Sequence, residues 1–360
     1  MPKLSVVILN WNGSHYTIPC IKSLLNSSFQ DFEIVLVDNG SERKDIKAIE
    51  NEFEGNEKIK IIKNSENKGF AEGNNIGVRN SSPESKYVLL LNNDAVVKKD
   101  YLKEMVEAIE SNSSIGAVGI GYRPNSKDVL LHTLSLVGFD VVYYNEKFVN
   151  EGIYPKLYIS GARFMFNKSL IKEPFDPEYF IYCEDVYLGW LIWLKGYKVI
   201  AKHTKNPEAR MIHYGEHVLQ KKKSSFSVFL GTRNRLLNIF LFYELRTLIK
   251  LLPLIFIAYF IYLISEPKFI LTRMKAYLWF PTNFKKILEK RKKIQMQRKV
   301  PDEEIIKVMS CKFKSYYDVK NPFFRGVITL INKVFCMYCK LLGLRTMDCR
   351  EFRFLEQKIK

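Results

Sequence analysis

The stretch Tyr87–Asp94, YVLLLNND, joins a continuous apolar run to three polar residues. A run of this length that ends abruptly at turn-forming residues is typical of a central strand in a parallel sheet. In α/β proteins, ligands bind at the carboxyl ends of such strands. Asn92, Asn93 and Asp94 would bring hard oxygen ligands there, which suit Mg²⁺ or Mn²⁺ carrying a diphosphate. A plain Asn/Asp turn is the alternative interpretation.

Strands and helices alternate along the first third of the chain. The sequence predicts strands at 3–9, 32–37, 58–62, 87–91 and 115–120, and helices at about 16–26, 42–53 and 100–111. This alternation indicates βαβ units and a mostly parallel, Rossmann-like sheet flanked by helices. The carboxyl ends of the strands then meet at one edge, where Asn10, Asp38 and Asp94 would lie.

Asp38 ends the second predicted strand. Its carboxylate is well placed to accept hydrogen bonds from a nucleotide base or ribose, and the alternative is a turn in which Ser41 caps the next helix. No GxGxxG follows the first strand, and the chain has no GxxxxGK[ST]. The sequence therefore disfavours NAD or FAD and excludes a P-loop.

A second polar cluster contains Glu184 and Asp185, which stand before a predicted helix. Acidic residues are favoured at a helix start by its dipole, and a general base in a cleft is the other interpretation. His213 is a single histidine, for which a structural role is the usual one. It gains significance only if it meets Asp94 in the fold.

Composition limits the class of protein. The 360 residues are enough for one large or two ordinary domains, and 47% of them are hydrophobic. The six cysteines are scattered, so we expect them to be reduced in a cytosolic protein. A metal or redox role for the CxxC pair Cys336 and Cys339 is disfavoured. We also expect no signal peptide, because Met1–Lys3 leads directly into a strand-like run.

The charge is divided unevenly. Residues 1–210 hold 26 Lys and Arg against 27 Asp and Glu, whereas residues 211–360 hold 30 against 11, which gives +19 for the second part and −1 for the first. The second part therefore favours an anionic partner, either membrane lipid or nucleic acid. No base-reading motif accompanies the basic stretch 285–299, so we expect no nucleic-acid partner.

A long helix or helix pair is predicted at 227–264. Its apolar part, Leu251–Ile264, has 14 residues and an early Pro253, whereas a membrane span needs about 20. Basic residues flank it at Lys221–Lys223 and Lys285–Lys299. We expect an interfacial helix or a shallow hairpin on the anionic cytoplasmic face of the cell membrane, in preference to a single span.

Seven motifs in order give the chain a family resemblance over about residues 3–235. It resembles the family 2 inverting glycosyltransferases of the GT-A fold, especially the rhamnosyltransferase-like and galactofuranosyltransferase-like branch. The matching pieces are VVILNWNG (Val6–Gly13), VDNGS (Val37–Ser41), NKGFAEGNN (Asn67–Asn75), LLLNND (Leu89–Asp94), SGARFMF (Ser160–Phe166), YCEDVYLGW (Tyr182–Trp190) and PEA…H (Pro207–His213).

The resemblance implies a nucleotide-sugar site. Asp38 would bind the base or ribose, and further nucleotide contacts would come from Asn10 and from the loop 67–73, including Asn67 and Gly69. Asn92, Asn93 and Asp94 match the family's degenerate DXD motif, in which Asp94 would be the ligand to Mg²⁺ or Mn²⁺. His213 matches the second protein ligand of that metal. Asp185 matches the catalytic base, and Glu184 is its neighbour.

The sequence therefore predicts a glycosyltransferase that moves a sugar from a nucleoside-diphosphate sugar to a hydroxyl of a glycan or lipid-linked acceptor. Two alternatives remain: a polyprenyl-phosphate sugar synthase with the same core, and an inactive membrane-surface module of the same fold. The predicted organisation is a catalytic domain at 1–215, a basic, helical, membrane-associating segment at 216–300, and a tail of unassigned role at 301–360.

Overall fold

The computed structural model describes residues 1–122, 130–144, 152–214, 223–314 and 321–349. The chain divides into two units. The first comprises Met1–Pro124, Ile159–Leu188 and Lys198–Lys222, and the second comprises Asn125–Tyr158, Gly189–Tyr197 and Lys223–Lys360. The predicted boundaries at 215/216 and 300/301 stay a prediction. The first of them, and Lys221 and Lys222 of the predicted basic flank, lie outside the described residues.

The first 122 residues alternate strands and helices as predicted. The strands are β1 (Leu4–Asn10), β2 (Phe32–Asp38), β3 (Ile59–Lys63), β4 (Tyr87–Asn92), β5 (Ala95–Val97) and β6 (Ile115–Tyr122), and the helices are α1 (Ser14–Leu25), α2 (Arg43–Glu52), α3 (Gly69–Arg79) and α4 (Tyr101–Glu110). The short strand β5 was not predicted. It follows directly after the Asn92–Asp94 turn.

The remaining described residues add six strands and seven helices. These strands are β7 (Leu130–Leu134), β8 (Asp140–Tyr144), β9 (Gly152–Lys156), β10 (Arg163–Asn167), β11 (Lys198–Thr204) and β12 (Met211–His213). The helices are α5 (Glu184–Leu194), α6 (Ser225–Phe242), α7 (Leu245–Ile264), α8 (Ile270–Thr282), α9 (Phe284–Gln295), α10 (Asp302–Ile305) and α11 (Pro322–Leu341). The sequence did not predict β11 or β12.

The main sheet of the first unit runs in the order β3-β2-β1-β4-β10-β6-β11. Strands β1 to β4 are parallel to one another, β10 is antiparallel to both β4 and β6, and β11 is parallel to β6. The fold is therefore α/β with a mixed, mostly parallel sheet. Residues 87–91 of β4 are all buried, as expected for a strand covered on both faces.

Register places the predicted polar residues together at the carboxyl edge of this sheet. Asn10 pairs with Asp38 across β1 and β2, and Leu9 pairs with Asn92 across β1 and β4. A second, two-stranded sheet pairs β5 with β12 in antiparallel fashion. The apolar strand interiors thus hold the core, and their polar ends lie on one edge of it.

In the second unit, the predicted helix pair breaks between α6 and α7. The break is fixed by Glu244 and Asp302, since each accepts a hydrogen bond from the other's backbone N–H, at 2.7 Å and 3.0 Å. Arg298 also pairs with Asp302 at 3.1 Å. Within the described part of the chain, α7 is the one helix that is long enough and apolar enough to cross a membrane. This statement rests on its length and composition, with a mean hydropathy of 2.2.

Candidate active site

Asn10 is the centre of a hydrogen-bonded cluster at the end of β1. Its Nδ2 donates to Asp38 Oδ1 at 3.0 Å, Ser41 Oγ at 3.1 Å and Asp45 Oδ2 at 2.9 Å. Its Oδ1 accepts from Thr17 Oγ1 at 2.7 Å. Asn10 is fully buried and Asp38 nearly so. The two predicted nucleotide-site residues are therefore in direct contact, and the network holds the Asp38 carboxylate in one orientation.

Ser41 does not cap the helix after β2, so that prediction was wrong. Helix α2 follows Glu42, which makes no side-chain cap. The Ser41 hydroxyl instead accepts from Asn12 N–H at 2.9 Å as well as from Asn10. Its acceptor capacity is thus used by two donors at the end of β1 and in the segment that follows it.

Asp45 is a member of this cluster that the sequence did not reveal. Burial disfavours its charged form, but hydrogen bonds from the Asn10 side chain and from the backbone N–H groups of Ser14 and Gly13 outweigh burial, so the pKa of Asp45 is lowered. Asn10 thus lies between two carboxylates. A charged residue on a predicted surface helix carries no local signal that it faces a strand end.

The loop 67–69 is tied to β2 by Asn39. Asn39 Nδ2 donates to Asn67 Oδ1 at 2.9 Å and to the Gly69 carbonyl at 3.2 Å. Gly69 has a φ of +81°, and a Cβ there would lie 2.5 Å from the Phe180 ring. The carbonyl of Phe180 in turn accepts from Ala71 N–H at 3.0 Å. The predicted nucleotide loop is therefore packed against the segment that leads to Glu184.

Asp94 and His213 meet at the edge of the small sheet. His213 Nε2 lies 3.0 Å from Asp94 Oδ1 and 3.3 Å from Asn92 Nδ2. The contact follows from the β5–β12 pairing, which sets His213 opposite Ala95. Tyr214 N–H extends this pairing by donating to the Asp94 carbonyl at 3.0 Å. The condition under which His213 was expected to be functional is met.

The pair has the character of a partial cation site. Asp94 Oδ1 is buried and accepts no hydrogen bond of normal geometry from the described residues. Carboxylate oxygen suits Mg²⁺ and Mn²⁺, and imidazole nitrogen is a common metal ligand. No group of three or more His, Cys, Asp or Glu side chains in the described ranges is arranged to hold a metal. A cation here would have to complete its shell with water or the oxygens of a bound diphosphate.

Asn93 connects this pair to the Asn10 cluster. Its Nδ2 donates to Thr17 Oγ1 at 3.0 Å, and Thr17 donates to Asn10. A Cβ on Gly13 would lie 2.6 Å from the same Nδ2, so the turn after β1 leaves room for the Asn93 amide. Thr17 is a second contributor that the sequence reasoning missed, since it lies on the buried face of α1.

Asp185 lies in the first turn of α5. Its Oδ1 accepts from Val186 N–H at 2.8 Å, and its Oδ2 accepts from Gly161 N–H at 3.4 Å. The approach to the helix is strained, because Phe180, Tyr182 and Cys183 all have φ between +59° and +76°. Non-glycine residues rarely adopt this conformation, and such strain clusters at functional sites.

Glu184 differs from its neighbour in environment. It is 7% exposed, and its Oε2 is buried and makes no hydrogen bond with a described residue. Burial, and secondly the adjacent Asp185 carboxylate, raise the pKa of Glu184 to about 8. Glu184 is therefore mostly protonated at neutral pH. Opposed environments for two adjacent acids are a recurrent feature of acid–base sites.

Comparisons with known proteins indicate the family and the fold. Residues 5–175 match the family Glycosyl transferase family 2. An uncharacterized glycosyltransferase of Haemophilus influenzae is 30% identical over 118 residues, 33% of this chain and 36% of the relative. The poly-beta-1,6-N-acetyl-D-glucosamine synthase of Staphylococcus epidermidis is 25% identical over 196 residues, 54% of this chain and 47% of the relative. The chain thus spans less than half the length of these relatives.

Among solved structures, the crystal structure of GalNAc-T7 with UDP, GalNAc and Mn²⁺ superimposes with a TM-score of 0.56 at 16% identity. The match covers 77% of this chain and 55% of that one, and it identifies the fold. Residues 5–175 thus match glycosyl transferase family 2 in sequence, and the structural likeness shows the GT-A fold. This match agrees with the family resemblance that the seven motifs indicated.

Proposed function

We propose that the protein is a metal-dependent, inverting glycosyltransferase that moves a hexosyl or deoxyhexosyl group from a nucleoside-diphosphate sugar to a hydroxyl of a glycan or lipid-linked glycan. The observation that carries the proposal is the 3.0 Å approach of His213 to Asp94. Asp94 follows the end of β4, which pairs with the end of β1 that carries the buried Asn10–Asp38 pair. The proposed metal ligands and the proposed acceptors for the nucleoside therefore lie beside neighbouring strand ends.

The donor would lie along this edge. Asp38, held by Asn10, would accept hydrogen bonds from the base or ribose, and the loop of Asn67 and Gly69 would border the nucleotide. Asp94 and His213 would hold Mg²⁺ or Mn²⁺, with Asn92 and Asn93 beside them. A bound divalent cation offsets the charge on a departing nucleoside diphosphate.

Asp185 is the proposed general base. As the acceptor oxygen attacks the anomeric carbon, Asp185 takes its proton, and the bond from that carbon to the diphosphate breaks with its electron pair passing to the phosphate oxygen. One displacement of this kind inverts the anomeric configuration. The hydrogen bonds from Val186 and Gly161 fix the direction of the Asp185 oxygens. Burial raises the pKa of Glu184 and so favours its neutral form beside Asp185.

Within the family, we place the chain in the rhamnosyltransferase-like and galactofuranosyltransferase-like branch, on the support of its seven motifs. We also propose that the second unit attaches the protein to the anionic cytoplasmic face of a membrane. The apolar helix α7 and the +19 charge of residues 211–360 support this attachment. Such a location suits a lipid-linked acceptor.

A thermal-shift panel of UDP, dTDP, GDP and CDP sugars, each with Mn²⁺ and with EDTA, tests the donor site. A ligand at about 100 times its dissociation constant stabilises the fold by about 2.7 kcal/mol. We expect one nucleotide class to stabilise the protein in a Mn²⁺-dependent manner. A folded protein that none of the four classes stabilises would contradict the proposal and favour the inactive membrane module.

A further inference from the structure

Helix α11 carries a row of exposed apolar side chains that the proposed sugar-transfer site does not use. The row is spaced by alternating steps of four and three residues, which places its members on one helix face. Its members are Phe323, Val327, Leu330, Val334, Met337 and Leu341, with exposures from 39% to 78%. The opposite side is buried through Asn332, Phe335 and Cys339. An apolar face of this kind, with its other side already packed, indicates a partner.

Helix α7 has a similar row. Its exposed members are Leu245, Ile249, Leu252, Phe256, Phe260 and Ile264, and its packed side includes Leu248, Leu251 and Leu254. The two helices are in contact, because Tyr338 Oη on α11 donates to the Lys250 carbonyl on α7 at 2.9 Å. Both rows therefore belong to neighbouring elements of one unit.

The charges that accompany the rows are of one sign. Helix α11 contains Arg325, Lys333 and Lys340 and no acidic residue, and α7 contains Arg246 and Lys250 and no acidic residue. A helical partner from a second copy of this chain would bring the same basic residues against these ones, without the opposite charges that stabilise such pairs. An anionic lipid surface offers both an apolar layer and complementary charge.

The neighbours of α7 favour helices that lie in the plane of the membrane surface. Arg273 of α8 is fully buried, donates to the carbonyl of Leu263 near the end of α7 at 3.2 Å, and pairs with Glu266 at 2.6 Å. Lys333 and Lys340 lie on α11 itself. If α7 crossed the membrane, the charged side chains of α8 and α11 that accompany it would be drawn toward the hydrocarbon core of the bilayer. Placing charges there is costly.

We propose that α7 and α11 together form one docking surface for an anionic membrane, with both apolar rows inserted at the level of the headgroups. This inference deepens the membrane attachment in the proposed function and gives a role to the tail at 301–360. It predicts that α11, and not α7 alone, determines membrane affinity.

The test is partition of the full chain onto vesicles of phosphatidylcholine with and without phosphatidylglycerol. The variant Leu330→Asp/Met337→Asp changes two exposed residues of the α11 row. Its matched control is Phe226→Asp/Met296→Asp, which changes two exposed apolar residues of the same unit outside both rows. All four positions are exposed, so folding should survive, and circular dichroism checks it.

We expect the parent chain to bind the phosphatidylglycerol vesicles far better than the neutral ones. The row variant should bind about tenfold more weakly or worse, and the control should stay within about twofold of the parent. Equal binding by the row variant and the control overturns the proposal. So does a parent chain that does not bind anionic vesicles. A dimer of the parent chain that dissociates in the row variant and not in the control also overturns it. Nucleotide-sugar stabilisation, measured on the same proteins, separates failure of the docking surface from failure of the donor site.

Discussion

His213 Nε2 lies 3.0 Å from Asp94 Oδ1, although the two residues come from distant parts of the first unit's chain. The contact exists because β12 pairs antiparallel with β5. If the two side chains hold a cation with the donor diphosphate, each should be needed for metal-dependent binding and neither for the fold.

Asp94→Ala and His213→Ala should each weaken the Mn²⁺-dependent part of nucleotide-sugar binding by at least about tenfold, because each removes one of two protein ligands. Calorimetric titration of the nucleotide sugar, with Mn²⁺ and with EDTA, measures the effect. His15→Ala, an exposed histidine of α1, is the control. If nucleotide-sugar binding still depends on Mn²⁺ in both variants, the metal does not bind at Asp94 and His213.

Asp185→Asn keeps the size and the accepting oxygen of the side chain but removes the base. We expect kcat to fall by about 10²–10⁴-fold while donor binding is retained. The measurement is initial-rate kinetics beside the thermal shift with donor. A variant that keeps most of its activity would favour the polyprenyl-phosphate sugar synthase, since a phosphate acceptor is already ionised and needs no general base.

The sequence predicted local elements well and long-range contacts poorly. β4 and its polar end were predicted because an apolar run that stops at Asn92 is a local pattern. β5 and β12 have three residues each, too few for any periodicity, so the Asp94–His213 contact could be stated only as a condition. His213 was singled out by the family resemblance and not by any pattern of hydrophobicity.

Two features of residues 180–185 had no signal in the sequence. The left-handed conformations of Phe180, Tyr182 and Cys183 occur in residues that ordinarily avoid them, and tertiary packing imposes them. The burial that separates Glu184 from Asp185 depends on side chains distant in sequence. Adjacent acids at a helix start looked equivalent in the local pattern, and only the fold shows that Glu184 is buried and that its pKa is raised.

Gly69→Ala tests whether the loop 67–69 depends on its contact with Phe180. The left-handed φ alone costs a non-glycine residue about 1–2 kcal/mol. The added Cβ would also meet the Phe180 ring at 2.5 Å, so we expect a total loss of about 2–4 kcal/mol in the free energy of unfolding.

Gly55→Ala is the matched control for that change. Gly55 has nearly the same φ, +74°, but a Cβ there meets nothing within 4 Å. It should show the conformational cost alone. Urea denaturation of both variants measures the difference, and equal losses would mean that Phe180 moves aside freely and that the two loops are not coupled.

Glu184→Gln tests the protonated state of the buried acid. In the folded protein the pKa of Glu184 is about 8, raised by burial and then by Asp185, against an ordinary value of 4.5. Between these two values the folded state binds more protons at this site than the unfolded state does. Stability therefore falls as pH rises from about 4.5 to about 8, and the loss levels off above that range.

Glutamine cannot ionise, so the variant should lose this part of the pH dependence. It should match or fall below the parent chain in stability near pH 4.5 and exceed it by a few kcal/mol, to order of magnitude, near pH 9. Denaturation midpoints across that pH range show whether the stability curves of parent and variant cross. The exposed Glu57→Gln is the control. Parallel curves for parent and variant would show that Glu184 is ionised in the fold, and Asp185 would then have to act as a base beside a second negative charge.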